Sequence, residues 1–262
     1  MPVSRNFSNL KIDWAQPEIQ FALKTVREGA AFARQIRSQP SLEALSKKDQ
    51  SPVTLADFGI QAIAGALLEE AHSCIPLVAE ENASLLKNEE EQIQLKTLTD
   101  HLRPFIPAAT PEAVCQWIDR GAGAPAETFW VLDPIDGTKG FLRGDQYVTA
   151  LALVQESEVR MAAISCPNLS LPTYFPKDRK GILVFALRGS GCWATLLDGE
   201  EQWKEMRVSD HMETRQACFL ESMELGHRNA ERVKKIKELL SVQVPSVFLD
   251  SQAKHVVLAA GE

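Results

Sequence analysis

The strongest constraint on the fold is a succession of four β-type runs: YVTALALV (147–154), EVRMAAISC (158–166), GILVFALRG (181–189) and GCWATLLDG (191–199). Polar or glycine turns join them, so they are expected to pair as an antiparallel meander. A sheet of this kind must bury a face against other elements, and the preceding chain supplies them. From Trp14 to Gln39, the residues Ile19, Leu23, Val26, Ala30 and Ala33 recur at steps of four and three, the period of a helix with one buried face. Ser51-Pro52 then breaks the chain. Thr54, with Asp57 three residues on, reads as the N-cap of a second helix through Ile60, Ile63 and Leu67.

IPLVAEEN (75–82) reads as a short buried strand ending in two carboxylates. Residues 83–127 read as an excursion from the sheet with one compact helix, capped by Thr110, with Pro111 in its first turn and Gly121 just past its end. Residues 1–208 are thus expected to form an α+β domain, an N-terminal antiparallel sheet with two long helices. Past about Val208 the pattern becomes β-α-β-α: QACFLES, NAERVKKIKELL, PSVFLD and SQAKHVVLAAGE. Residues 209–262 are expected to form an incomplete C-terminal α/β half domain, because the last helix has no following strand to pack upon.

Composition narrows the function classes. The 262 residues are 45% hydrophobic and 24% charged, which suits a globular chain of one or two domains. A formal net charge of −7 disfavours a nucleic-acid partner. The five cysteines, Cys74, Cys115, Cys166, Cys192 and Cys218, contain no C-x-x-C pair and read as reduced thiols rather than as a disulfide framework or a zinc site. The N-terminal residues lack the basic-then-apolar shape of a secretory leader, and no apolar run reaches the ~18 residues of a membrane span. The expected location is the cytosol, or an organelle entered with a removable transit peptide, with no membrane partner.

The chemistry centres on TFWVLDPIDGTKG (128–140). TFWVL reads as a buried strand and DPIDG as a sharp turn at its end, fixed by Pro134, where Asp133 and Asp136 can converge. Such oxygen donors suit a hard cation such as magnesium. Gly137 and Thr138 would open a helix or turn with free N–H groups for a phosphate oxygen. The same letters also spell an ordinary β-turn. Glu80, at the end of another buried strand, is costly there unless it meets a cation or solvent. Asp57 reads either as the capping partner of Thr54 or as a carboxylate holding a metal-bound water, and both roles are compatible.

KKDQSPVTLAD (47–57), VAEEN (78–82), WVLDPIDGTKGFLRGDQYVTALALV (130–154), SCPNL (165–169), ELGH (224–227) and LDSQAK (249–254) occur in this order. Together they resemble the 3′(2′),5′-bisphosphate nucleotidases of the inositol monophosphatase superfamily, from about Gln16 to Glu262. D-P-x-D-G-T marks the superfamily; S-P-V-T-x-x-D, D-G-T-K-G-F-L-R-G and D-S-Q-A-K favour the nucleotidase branch. The resemblance implies an αβαβα layered sugar-phosphatase fold and Mg2+ held by Glu80, Asp133, Asp136 and the backbone carbonyl of Ile135. It implies Asp57 as a catalytic group positioning a further metal or its water, with Thr138 as its hydroxyl partner. Gly137 and Thr138 would contact the phosphate, while His227, Ser251 and Lys254 would hold the rest of the nucleotide, Lys254 near its 5′-phosphate. Taken alone, these last three would read as a surface histidine, a helix N-cap and a solvated lysine. The implied reaction removes the 3′-phosphate of 3′-phosphoadenosine 5′-phosphate to give AMP, with related action on the 5′-phosphosulfate, and implies lithium sensitivity.

Members of that family continue past LAAGE with a strand of the type A-D-x-Y-x-R and a W-D-H-A-A-G segment, which this sequence lacks. By the resemblance that aspartate binds metal and that arginine binds phosphate, so the expectation for this chain by itself is weakened metal binding and little turnover. Two other functions fit the same residues: a nucleotide- or metal-binding module without turnover, and an inositol-phosphate phosphatase. Ser51-Pro52-Val53-Thr54 and Lys254 disfavour the latter.

Overall fold

A computed structural model describes residues 12–39, 44–46, 52–88, 91–224, 226 and 229–262. His227 and residues 47–51 lie outside the described residues. Helix α1 (Pro17–Arg37) has Pro17 in its first turn and Arg34 and Arg37 in its last, and it buries the expected stripe of Ile19, Leu23, Val26, Ala30 and Ala33. Strands β1 (Ala44–Ser46) and β2 (Pro52–Thr54) form a small antiparallel ribbon leading into α2 (Leu55–Glu70). The capping box is present. Thr54 Oγ1 accepts from the Ala56 N–H at 3.1 Å, and Asp57 Oδ2 accepts from the Thr54 N–H at 2.8 Å.

Helix α2 is buried from Ala56 through Leu68, because other elements press on it from more than one side. A Cβ added at Gly59 would lie 2.0 Å from the Phe32 ring of α1. Strand β3 (Leu77–Ala79) follows, then α3 (Gln92–Leu102) and α4 (Pro111–Asp119). A Cβ added at Gly65 of α2 would lie 2.2 Å from the Trp117 carbonyl oxygen of α4, so the two helices cross almost backbone to backbone. The excursion therefore holds two helices where one was expected. Helix α3 has Glu91 at its N-cap with no side-chain cap bond, so the usual start signal is missing although Leu95, Leu98 and Leu102 are buried.

The main sheet has seven strands in the order β3, β4 (Thr128–Asp136), β5 (Val148–Gln155), β6 (Glu158–Cys166), β7 (Ile182–Leu187), β8 (Gly191–Leu196) and β9 (Lys204–Glu205). Strand β3 runs parallel to β4, and the remaining pairs are antiparallel, as the meander pattern required. One face packs on α1, with Ile19, Leu23 and Val26 in a common core with Trp130, Leu151 and Phe185. Between β4 and β5 lies the short helix α5 (Thr138–Arg143).

The C-terminal stretch gives β10 (Leu220–Glu221), α6 (Ala230–Leu239), β11 (Val247–Phe248) and α7 (Ala253–Ala260). Strands β10 and β11 pair in parallel around α6, the expected β-α-β unit, and α6 buries none of its side chains. Helix α7 lies on the second face of the main sheet, where Ala253, Val256 and Ala260 share a core with Val148, Cys166, Ile182, Val184 and Ala194. Its small and β-branched residues suit that sheet surface. No described helix is long and apolar enough to cross a membrane.

Candidate active site

The site grows from the end of β4. DPIDG is not a sharp turn: Asp133 pairs with Ala150 and Asp136 with Val148, so the strand continues to Asp136 with one residue more than its partner between those pairs. Pro134 has no N–H to give to the ladder, and its carbonyl instead accepts from Thr149 Oγ1 at 2.9 Å. The bulge places Asp133, Ile135 and Asp136 in succession at the strand's end. Gly137, at φ 88, then turns the backbone directly into α5, a left-handed conformation that favours glycine.

Around this turn opens a cleft of about 660 Å³ whose wall includes Glu80, Asp136, Gly137, Thr138, Ser251 and Lys254. Six of the residues expected at the site therefore meet in one cavity, although they come from the β3 exit, the β4–α5 turn and the start of α7. Lys139, Glu224 and Asp250 also line it, with Leu220 and Val233 from the C-terminal unit. Asp57, Asp133 and Ile135 are not among the lining residues. Asp57 is buried at 2% exposure, and Asp133 is half-buried.

Two details differ from the expected roles. Thr138 Oγ1 donates to the Ile135 carbonyl at 3.1 Å, whereas the hydroxyl bonded to Asp57 belongs to Thr54, 2.7 Å from Oδ2. The Asp57–Thr138 pairing is thus not formed. Ser251 stands at φ 60 before α7, where its Oγ accepts from the Ala253 N–H at 3.3 Å, and Lys254 Nζ donates to the Leu249 carbonyl at 3.3 Å.

The electrostatics favour a cation. Burial pushes the Asp57 carboxyl up to about 7, against the two bonds from Thr54, and the charges of Glu81 and Glu80 push the same way. Burial also raises Asp136; the Gln252 N–H and Lys254 oppose this, and Glu80 adds to it. The charge of the exposed Glu80 thus adds to the effect of burial at both aspartates. A divalent cation offsets that charge, and an all-oxygen donor set suits a hard one. The Ile135 carbonyl keeps a second lone pair beside its bond to Thr138. Among the described residues, no three acidic, histidine or cysteine side chains already gather about one point. The donors fit such a cation in kind.

Two supports were not evident from the letters. Gln61, buried within α2, donates from Nε2 to the carbonyls of Glu81 and Ile118, both at 2.6 Å, and accepts from the Glu81 N–H at 2.9 Å, which fixes the β3 exit that carries Glu80. A glutamine inside an apolar helix was the available signal. Arg143 binds Asp145, Glu224 and Asp250 at 2.9, 2.8 and 2.5 Å, a junction among residues distant in sequence.

A profile of the inositol monophosphatase family matches residues 49–262. The chain is 39% identical over 238 residues to 3′(2′),5′-bisphosphate nucleotidase 1 of Arabidopsis thaliana, covering 83% of this chain and 67% of the relative. It is 34% identical over 265 residues to the 3′(2′),5′-bisphosphate nucleotidase of Schizosaccharomyces pombe, covering 94% and 74%. Against the Oryza sativa protein of the same name the chain spans 65% of the relative's length. Among solved structures, CysQ from Bacteroides thetaiotaomicron, a bacterial member of the inositol monophosphatase family, superposes with a TM-score of 0.57 at 19% identity, covering 95% of this chain and 78% of that one. The profile match over residues 49–262 and sequence identity across both halves of the chain lead to one conclusion: this chain belongs to the inositol monophosphatase family.

Proposed function

We propose that the chain is a magnesium-dependent phosphatase that removes the 3′-phosphate of 3′-phosphoadenosine 5′-phosphate to give AMP. The observation that carries this reading is one cleft lined by Glu80, Asp136, the Gly137–Thr138 turn and Lys254. Its carboxylates suit a cation and its lysine a second anionic group, a pairing of charges that suits a bisphosphate bound with metal. The names of the nucleotidase relatives support the substrate class.

Glu80, Asp133, Asp136 and the Ile135 carbonyl would hold the metal. When bound, magnesium supplies charge neutralisation for the phosphoryl group and a lowered pKa for attacking water. The chain's own residues do the positioning. The backbone N–H groups after Gly137 and the Thr138 hydroxyl would orient the phosphate oxygens, and Asp57, held by Thr54, would help to position a further metal or its water. Lys254 would attract the 5′-phosphate, with Ser251 and His227 beside the nucleotide. No protein nucleophile is required.

Lys254 provides the test. Lys254→Ala is expected to raise the Michaelis constant for 3′-phosphoadenosine 5′-phosphate about tenfold, in the range of a lost charge-assisted hydrogen bond. For a 3′-phosphorylated substrate without the 5′-phosphate it should change little. An equal rise for both substrates would remove the proposed contact.

A further inference from the structure

We propose that Arg143 is a positioning residue for Asp136, acting through Asp250 and the backbone of the turn between β11 and α7. The inference rests on the reading of Asp136 as a metal-side carboxylate. Arg143, at the end of α5, donates from Nη2 to Asp250 Oδ2 at 2.5 Å. Asp250 is only 4% exposed, and a buried carboxylate left without its partner is costly. The chain then passes through Ser251, at φ 60, a conformation that a serine holds only where its surroundings enforce it. The next N–H, of Gln252, donates to Asp136 Oδ2 at 2.5 Å.

The turn is also seated on the helix that follows Asp136. A Cβ at Gly140 would lie 3.2 Å from Asp250 Oδ2, and one at Gly137 would lie 2.9 Å from Ser251 Cβ. Contacts therefore close a ring: from Asp136 through Gly137 and α5 to Arg143, across to Asp250, and back through Gln252 to Asp136. A carboxylate with one oxygen held by an N–H presents its other oxygen in a defined direction. The two glycines admit the turn and Arg143 draws it in. Arg143 also binds Asp145 through Nε at 2.9 Å, but that contact lies on its own loop and is not part of the ring. It supplies a control.

The experiment compares the parent chain with Asp250→Asn, Arg143→Lys and Asp145→Asn. Amide hydrogen exchange is measured without metal, and calorimetric titration uses magnesium ions alone. Asp250→Asn and Arg143→Lys are expected to speed exchange of the Gln252 N–H about tenfold while the β5 amides stay unchanged. Both should weaken magnesium binding about tenfold, the lower range for groups that orient a ligand. Asp145→Asn should leave both readings within about twofold of the parent. Unchanged Gln252 exchange in the first two variants, or an equal change in Asp145→Asn, overturns the proposal. Should Asp250→Asn fail to fold, Arg143→Lys, whose side chain is 43% exposed, carries the comparison. A parent that takes up no magnesium would defeat the metal reading of Asp136, and the amide comparison would still decide whether Arg143 positions that carboxylate.

Discussion

Asp57 shows how one residue can serve the fold and the site. Its spacing from Thr54 is legible as a cap, and the structure forms that cap with both the backbone and the hydroxyl of Thr54. Its burial is not legible, because nothing in the letters SPVTLAD says that α2 will be enclosed. Burial has a measurable consequence. The ordinary carboxyl value is 3.8 and the folded value about 7, so between these pH values the native chain keeps a proton that the unfolded chain has lost. The contribution to stability is full below the unfolded value and is lost as pH rises through the folded one, by up to about 1.4 kcal/mol per pH unit in that window. In chelator, urea unfolding at pH 5 and 7.5 is expected to show the lower stability at 7.5, with the difference reduced in Asp57→Asn. A difference that persists unchanged in the variant would assign it to other groups.

Elements were legible where pattern and punctuation agreed. The apolar stripe of α1, the cap of α2 and the turns between β5 and β8 each state their structure locally. The β4 bulge did not, since D-P-x-D-G spells a turn and a bulge alike and only pairing with Ala150 and Val148 decides between them. Helix α3 was hidden by an acidic approach without a cap. Close crossing of elements is equally silent in sequence: Gly65 reads as a flaw in a helix, yet it is where α2 meets the backbone of α4. Gly65→Ala is expected to destabilise the chain by about 3 kcal/mol despite alanine's better helix propensity, because a backbone oxygen cannot move aside as a flexible side chain would. Thermal denaturation checks this, and an unchanged or higher midpoint would contradict the close crossing.

At the scale of the molecule, the sheet carries α1 on one face and α7 on the other, and residues from Glu80 to Lys254 line a single cleft. Helix α7 belongs to the core of the main sheet, while α6 buries none of its side chains. Long-range return of this kind is invisible to periodicity, which reports a buried face without naming what covers it. Burying a charge at Val256→Asp should therefore destabilise the main sheet as well as the C-terminal unit and lower the midpoint of a single unfolding transition. Loss of α6 signals alone would contradict the shared core. The central claim is the chemistry of the cleft, and its most direct test is phosphate release from 3′-phosphoadenosine 5′-phosphate with magnesium, with chelator, and with added lithium, in the parent chain and Asp133→Asn. Release is judged against the variant's baseline. Magnesium-dependent release that lithium suppresses and Asp133→Asn abolishes is expected; release without magnesium, or none above that baseline from folded protein, would overturn that chemistry.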